Sequence, residues 1–424
     1  MKTTRVLSLV LAATALAAVQ ARAQFCPLGE TERRIVTCRE GVSMDQCLAT
    51  AQTAGCSVVR TLPLIHAVVI EVPSVRVFFA EAKLNNASDV AAVEADGKVS
   101  WLRNIPDQTS FTLPDTRDLV SGMRKIKSPI PAAPAADAEI PWGVARVGAP
   151  LAWAKSEGEG AAVAVIDTGI DDSLPDLSGQ VAGGVNIVDP QHPDNWKDDE
   201  GHGTHVSGTI AAKRDGEGVV GVAPKAKLYA VKVLDKNGNG NYDDVIAGIQ
   251  WVIDHHIKIA NMSLGADQGS DALHAAVQAA LKAGVTIVAA AGNSGGPVGY
   301  PGAYPETIAV GASDSSDQPA VFSSRGPQVD YIAPGVDILS DKMGGGVVKM
   351  SGTSMATPHV TGLAALAFAE GARTPQALRA ALTRAAHPIA GLSPDLEGQG
   401  MILAGDIRPT MAGEGGGTLA MLSR

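Results

Sequence analysis

Beyond Cys56 the chain contains no cysteine, so most of its 424 residues must hold together without disulfides. Aromatic residues are scarce, at 4%, and glycines number 47. Packing must therefore rely on close backbone approach more than on large side chains. Positive charge is in deficit: 34 Lys and Arg against 44 Asp and Glu leave a formal charge of −10, which argues against nucleic acid as a partner. No later apolar run is long enough to be a transmembrane helix, so no membrane span is expected. With 45% hydrophobic and 18% charged residues, what is present is a globular composition, long enough for one large domain and a small one.

Residues 1–23 read as a secretory signal: Lys2 and Arg5, then the short apolar run Val6 to Val19, then an Ala21-Arg22-Ala23 cleavage pattern. An exported protein, extracellular or periplasmic, is expected. In that setting Cys26, Cys38, Cys47 and Cys56 should form two disulfides. Three pairings are open, and the spacing does not match a zinc site.

Residues 24–105 read as a small α+β domain. Strands are expected over Arg33–Arg39, twice within Cys56–Val72, and over Ala91–Trp101 around an Asp96-Gly97 turn. Helices are expected over Met44–Ala54 and Val75–Leu84. Residues 106–138 carry Pro106, Pro114, Pro129, Pro131 and Pro134 and read as a linker open to proteolysis, with the processing site expected within it. From 139 to 407 strands and helices alternate, which predicts an α/β domain with a mostly parallel sheet covered on both faces. Binding groups then gather beyond the carboxyl ends of the strands. Residues 408–424, with Gly415-Gly416-Gly417, read as a tail.

Four stretches in this alternation carry chemistry. Asp167 follows the buried run Ala161–Ile166. His202 opens Gly201-His202-Gly203-Thr204-His205. Asn293 ends Ala290-Ala291-Gly292-Asn293. Ser354 sits in Gly352-Thr353-Ser354-Met355-Ala356-Thr357-Pro358-His359, between an apolar approach and a long apolar helical pattern. Each has an ordinary reading: a turn Asp, a core His, a turn Asn before Ser-Gly, a helix-capping Ser. Together they supply a nucleophile at a helix start, a base titrating near neutrality, a carboxylate to orient it and an amide donor.

In this order the motifs closely resemble the subtilisin-like serine proteases, over about residues 140–407, and residues 24–105 more weakly resemble their inhibitory prodomain, a ferredoxin-like unit. The Asp…His…Ser order differs from that of the α/β-hydrolases. The resemblance implies a zymogen of a serine endopeptidase acting on protein or peptide substrates, monomeric, with its own prodomain as intramolecular inhibitor. It implies Asp167, His202 and Ser354 as triad and Asn293 as oxyanion donor. It places the substrate between Gly238-Asn239-Gly240 and Ser263-Leu264-Gly265. The pocket for the residue before the cut would be walled by Ala290, Gly292 and Gly265, with Gly299 towards its base. No charge is expected there, hence a preference for large uncharged side chains. It also implies structural Ca²⁺, with side-chain oxygens from Asp176 and Asp215 and carbonyls from Lys213, Glu217 and Val219. There the pattern departs: the N-terminal side-chain ligand falls on Ala138, with Asp137 and Glu139 as possible substitutes. A second, backbone site would fall near Gly302, Tyr304 and Thr307. The acidic run Asp189, Asp194, Asp198, Asp199 and Glu200 reads as a solvated loop. Two rivals stand beside this reading: a catalytically silent binding module, and a metal hydrolase built on His202 and His205.

Overall fold

The computed structural model describes residues 29–54, 57–102 and 140–408. It divides into a first unit ending at Gly97 and a second beginning at Lys98. The expectations for residues 1–23 and 106–138, and the tail beyond residue 408, lie outside the described residues, as do Cys26, Cys56 and Ala138.

In the first unit, strands β1 (Thr31–Cys38), β2 (Ser57–Leu62), β3 (Ala67–Pro73) and β4 (Val90–Ala95) are interleaved with helices α1 (Met44–Gln52) and α2 (Val77–Asn85). The sheet order is β2-β3-β1-β4, antiparallel throughout. Alternation sends Val36, Val68, Ile70 and Val72 into one core with Leu84 of α2. Ser43 begins α1 with a capping box, its hydroxyl accepting from Gln46 N while Gln46 reaches back to Ser43 N. A Cys38–Cys47 disulfide ties β1 to α1.

The strand expected over Ala91–Trp101 is two strands. After Ala95 the chain leaves the first sheet. Strand β5 (Lys98–Ser100) pairs instead with a segment far along the sequence, within the second unit.

The second unit continues with α3 (Trp142–Arg146), α4 (Ala149–Ala152), β6 (Ala162–Asp167), β7 (Val181–Asn186), α5 (His202–Ala211), β8 (Lys227–Lys232), β9 (Asn239–Asn241) and α6 (Tyr242–Asp254). Then come β10 (Ile259–Met262), α7 (Asp271–Lys282), β11 (Thr286–Ala290), β12 (Ile308–Ser313), β13 (Val329–Pro334), β14 (Ile338–Asp341), β15 (Val347–Met350), α8 (Thr353–Ala369) and α9 (Pro375–Arg384). Seven strands form one parallel sheet, ordered β13-β12-β11-β10-β6-β8-β7. The expected α/β class is what is found. From β6 the chain moves to one side, through β7 and β8; from β10 it moves to the other. The switch between β6 and β10 opens a crevice at their carboxyl ends, where such sheets place their binding groups.

Local signals account for the helices around it. Ser270 caps α7 by accepting from Leu273 N, and Thr374 caps α9 by accepting from Ala377 N with Pro375 following. Helix α6 buries Val245, Ile249 and Val252 and ends at Asp254, where His255 stacks on Trp251. Helix α8 is apolar on every side and runs through the core, with every residue from Thr353 to Phe368 buried.

Candidate active site

Asp167 ends β6, at the switch between the two halves of the sheet, and is fully buried. His202 begins α5 and is aimed at it: Nδ1 lies 2.9 Å and 3.0 Å from the two Asp167 oxygens. The helix is held against the turn after β6 by contacts that only glycine permits. Gly203 N donates to Thr168 Oγ1 at 2.9 Å, and a Cβ at Gly203 would stand 2.2 Å from the Gly169 carbonyl oxygen. Burial works against a charge on His202, but the charge and hydrogen bond of Asp167, helped by Glu200 and Asp198, outweigh it and raise its pKa.

The acidic run is not simply a solvated loop. Asp198 is buried and caps α5: one carboxylate oxygen accepts from Glu200 N and Gly201 N, the other from Thr204 N and Oγ1. Asp199 pairs at 2.6 Å with buried Lys232, which also donates to the carbonyls of Thr168 and Leu234. Glu200 accepts from His202 N at 2.8 Å, and desolvation raises its pKa. Charge pattern alone hides these roles because each partner is distant in sequence or is a backbone group. Asp194 remains exposed, and Asp189 is half-buried and pairs with His192 at 2.7 Å.

His205, on the same helix, does not share a site with His202. It is fully buried, its Nε2 faces the Ile338 carbonyl at 2.9 Å, and burial pushes its pKa down to about 3. A nitrogen facing a carbonyl must carry the proton, so His205 is a neutral structural donor.

Ser354 sits in the first turn of α8, where unpaired N–H groups and the helix dipole favour developing negative charge. Its hydroxyl donates to the Ser263 carbonyl at 3.0 Å. Ser263 follows β10, and its own hydroxyl donates to the Ser354 carbonyl at 2.8 Å, which fixes the helix start to the sheet. Asn293 lies beyond β11. Its Oδ1 accepts from both Thr353 N and Thr353 Oγ1, each at 2.9 Å, and Thr353 Oγ1 accepts from Gly292 N. With the amide oxygen so occupied, the NH₂ end is the one turned to the pocket it shares with Ser354.

That pocket also holds Trp101 and Thr353. Leu264, Gly265, Ala290, Gly292 and Gly299, which the resemblance assigns to substrate, line it. A side chain at Gly299 would be crowded, since its Cβ would stand 3.0 Å from the Ala266 carbonyl oxygen. One lining residue differs from expectation: Asp267, exposed, brings a carboxylate to a pocket expected to carry no charge.

The two expected substrate-flanking segments grip a strand of this same chain. Lys98, Val99 and Ser100 pair antiparallel with Asn241, Gly240 and Asn239. Trp101 N then donates to the Gly238 carbonyl, and Gly265 N donates to the Trp101 carbonyl, both at 3.1 Å. The Trp101 indole is 2% exposed, donates from Nε1 to the Gly240 carbonyl at 2.9 Å, and meets Tyr242 edge-on at 5.1 Å. Leu102 packs on Gly238, where a Cβ would stand 2.9 Å from its side chain. The sequence gives no sign of this: a strand as short as Lys98–Ser100 does not reveal its partner.

The expected cation residues fit in part. Asp176 is 5% exposed, with its carboxylate against Gly218, where a Cβ would stand 2.1 Å from Oδ2. Its main-chain carbonyl accepts from Lys213 N and its Oδ2 from Val219 N, so it organises the loop 213–219. Asp215 lies 3.5 Å from the Lys213 ammonium. Thr307 Oγ1 lies 3.1, 3.3 and 3.0 Å from the carbonyls of Pro301, Gly302 and Tyr304, with one proton to give among them, which draws the second candidate cluster inward on itself.

Sequence comparison agrees with this geometry. Residues 158–407 match the model of the subtilase family, so the chain belongs to that family. Subtilisin E of Bacillus subtilis (strain 168) is 50% identical over 233 residues, 54% of this chain and 60% of its own length. The thermostable alkaline protease of Halalkalibacterium halodurans is 45% identical over 269 residues, 63% of this chain and 73% of its own. An intracellular serine protease of Paenibacillus polymyxa is 44% identical over 278 residues, 62% of this chain and 85% of its own. The chain thus spans about three fifths of the length of subtilisin E. Among the described residues, no helix is long and apolar enough to cross a membrane.

Proposed function

We propose that the chain is the precursor of an exported serine endopeptidase, active as a monomer, whose first unit is an inhibitory prodomain. The observation that carries this reading is the peptide-like strand Lys98–Leu102, hydrogen-bonded to both cleft edges in a pocket that also holds Ser354 and Asn293. A protease binds its substrate by this kind of strand addition.

In the mechanism, Ser354 turns from the Ser263 carbonyl towards His202 as substrate enters. His202 Nε2 takes the hydroxyl proton while Oγ attacks the scissile carbonyl carbon. Asp167 holds Nδ1–H and stabilises the imidazolium. The Asn293 amide and Ser354 N–H receive the oxyanion. The imidazolium then protonates the leaving amine as the C–N bond breaks, and water repeats the sequence to free the acyl group. His202 must be neutral to accept the proton, so activity falls as pH drops through its raised pKa.

Pairing through main-chain groups gives little sequence preference, so selection lies in the pocket. We expect cleavage after large uncharged residues, since Asp267 is exposed at the pocket and solvent weakens its pull. Mass spectrometry of a digested peptide library checks this. Cleavage mainly after Arg or Lys, abolished by Asp267→Asn, would instead assign selection to Asp267.

Strand β5 supports self-processing soon after Leu102. An extended chain advances about 3.3 Å per residue, and Trp101 shares a pocket with Ser354, so this reading puts the scissile bond within a few residues, ahead of the 106–138 linker where the sequence suggests processing. Trp101 is the anchor. A peptide of residues 98–104 should inhibit the processed enzyme competitively, and its Trp101→Gly version should bind at least about 30-fold more weakly, the loss expected of a buried aromatic anchor. Equal inhibition constants would rule Trp101 out as the anchor.

Ca²⁺ in this reading is structural. When bound it offers positive charge to hard oxygen ligands, here the Asp176 and Asp215 side chains and the Lys213, Glu217 and Val219 carbonyls.

A further inference from the structure

Lys232 is a buried cation that the mechanism does not use. It ends β8, stands opposite Asp167 in the sheet register, and is 4% exposed. Its ammonium has three protons, and each finds an acceptor: the Thr168 carbonyl at 2.6 Å, Asp199 Oδ1 at 2.6 Å and the Leu234 carbonyl at 2.9 Å. Taking an ammonium out of water is costly even when it is paired, and an apolar side chain would avoid that cost.

Two of the three acceptors belong to the two halves of the Asp167–His202 pair. Thr168 follows Asp167 and donates its N–H to Asp167 Oδ1 at 2.7 Å, the oxygen that also lies 2.9 Å from His202 Nδ1. Asp199 lies in the segment that leads into His202. The carboxylates on either side of it serve α5: Asp198 accepts from Glu200 N, Gly201 N and Thr204 N, and Glu200 accepts from His202 N. Asp199 instead reaches the sheet, through Lys232. The two segments meet without slack, since a Cβ at Gly169 would stand 2.6 Å from the Trp196 carbonyl oxygen and 2.8 Å from Asp198 N. One ammonium thus ties the turn that carries the carboxylate to the segment that opens the imidazole's helix.

We propose that Lys232 is a positioning residue: it clamps the Thr168 turn to the Asp199 segment and so sets the distance and angle at which Asp167 meets His202. This rests on the triad reading above. Lys232 is placed to act through Asp167 and His202, not on the substrate. A displacement of about 1 Å among reacting groups costs about 100-fold in rate, so a loosened clamp is visible in turnover. The Asp199 half of the clamp is reachable without disturbing the core, because its side chain is 53% exposed.

The test compares Lys232→Met, Asp199→Ala and Asp199→Asn, each made as the full-length chain, beside the parent and Ser354→Ala. Self-processing is followed by intact mass, and kcat and KM for a peptide substrate are measured on the processed enzymes. The inhibition constant of the 98–104 peptide is measured too, since it reports the cleft edges and not the Asp167–His202 pair. We expect Lys232→Met to lower kcat about 10- to 100-fold, with KM and the peptide's inhibition constant unchanged. Asp199→Ala should lower kcat by a smaller factor in the same way. Asp199→Asn keeps an oxygen for the ammonium and should recover most of that loss. Parent-like kcat in Lys232→Met would overturn the clamp. So would equal losses in the two Asp199 variants, which would assign the effect to charge and not to position. Losses matched by a rise in KM and a weaker peptide would overturn it as well, as damage to the whole cleft. If Lys232→Met does not fold, the Asp199 pair decides alone. Self-processing of Ser354→Ala at the parent rate would overturn the triad reading itself, and the proposal with it.

Discussion

Replacing Ser354 with alanine is expected to lower turnover of a peptide substrate about a million-fold, the scale known for the corresponding change in subtilisin, a relative of this chain. The change removes one oxygen that donates a single hydrogen bond, to the Ser263 carbonyl. The helix start stays tied to the sheet through Ser263 Oγ and the Ser354 carbonyl, so the fold should hold. Stability within about 1 kcal/mol of the parent, as expected for a change of this size, would show that the lost activity is chemical. The precursor should also remain uncut. Appreciable turnover by Ser354→Ala, with contaminating protease excluded, would remove Ser354 from the chemistry.

Asn293→Leu is expected to lower kcat about 100- to 1000-fold with little change in KM, again the scale known for the oxyanion donor of subtilisin. The reasoning is differential: the Asn293 NH₂ has its strongest partner only when the carbonyl oxygen becomes an anion, so substrate binding barely senses it. The Asn293 oxygen also accepts from Thr353, which adjoins Ser354, so the variant disturbs a second contact. Thr353→Val separates the two. It leaves the amide donor in place and should cost less than Asn293→Leu. Equal losses would mean that Asn293 acts by positioning the Ser354 turn, not as a donor to the oxyanion.

Residues whose roles are set by neighbours in sequence are the legible ones. Asp167 at the end of a buried strand, the caps Ser270 and Thr374, and the alternation that makes a parallel sheet all follow from local periodicity and capping chemistry. The pocket residues were legible only through resemblance, because composition says nothing of which glycines will face one another. What the chain hides is pairing at a distance. Lys98–Trp101 has the composition of a last prodomain strand, and the Asp96-Gly97 turn suggests a hairpin; only the tertiary structure shows β9 as its partner. Asp198, Asp199 and Glu200 look like solvated charge because their partners are the backbone of α5 and the distant Lys232. In each case the physical cause is non-local, and no window of sequence contains it.

The central claim is that Asp167 and His202 make Ser354 a nucleophile. Intact-mass analysis of the processed enzyme after brief exposure to a fluorophosphonate tests it most directly. The account predicts one adduct per chain, mapped by peptide sequencing to Ser354, and labelling at least about 10⁴-fold slower in His202→Ala, in keeping with the cost of losing a triad member. An enzyme that cleaves peptides yet takes no adduct at Ser354, or labels as fast without His202, would contradict it.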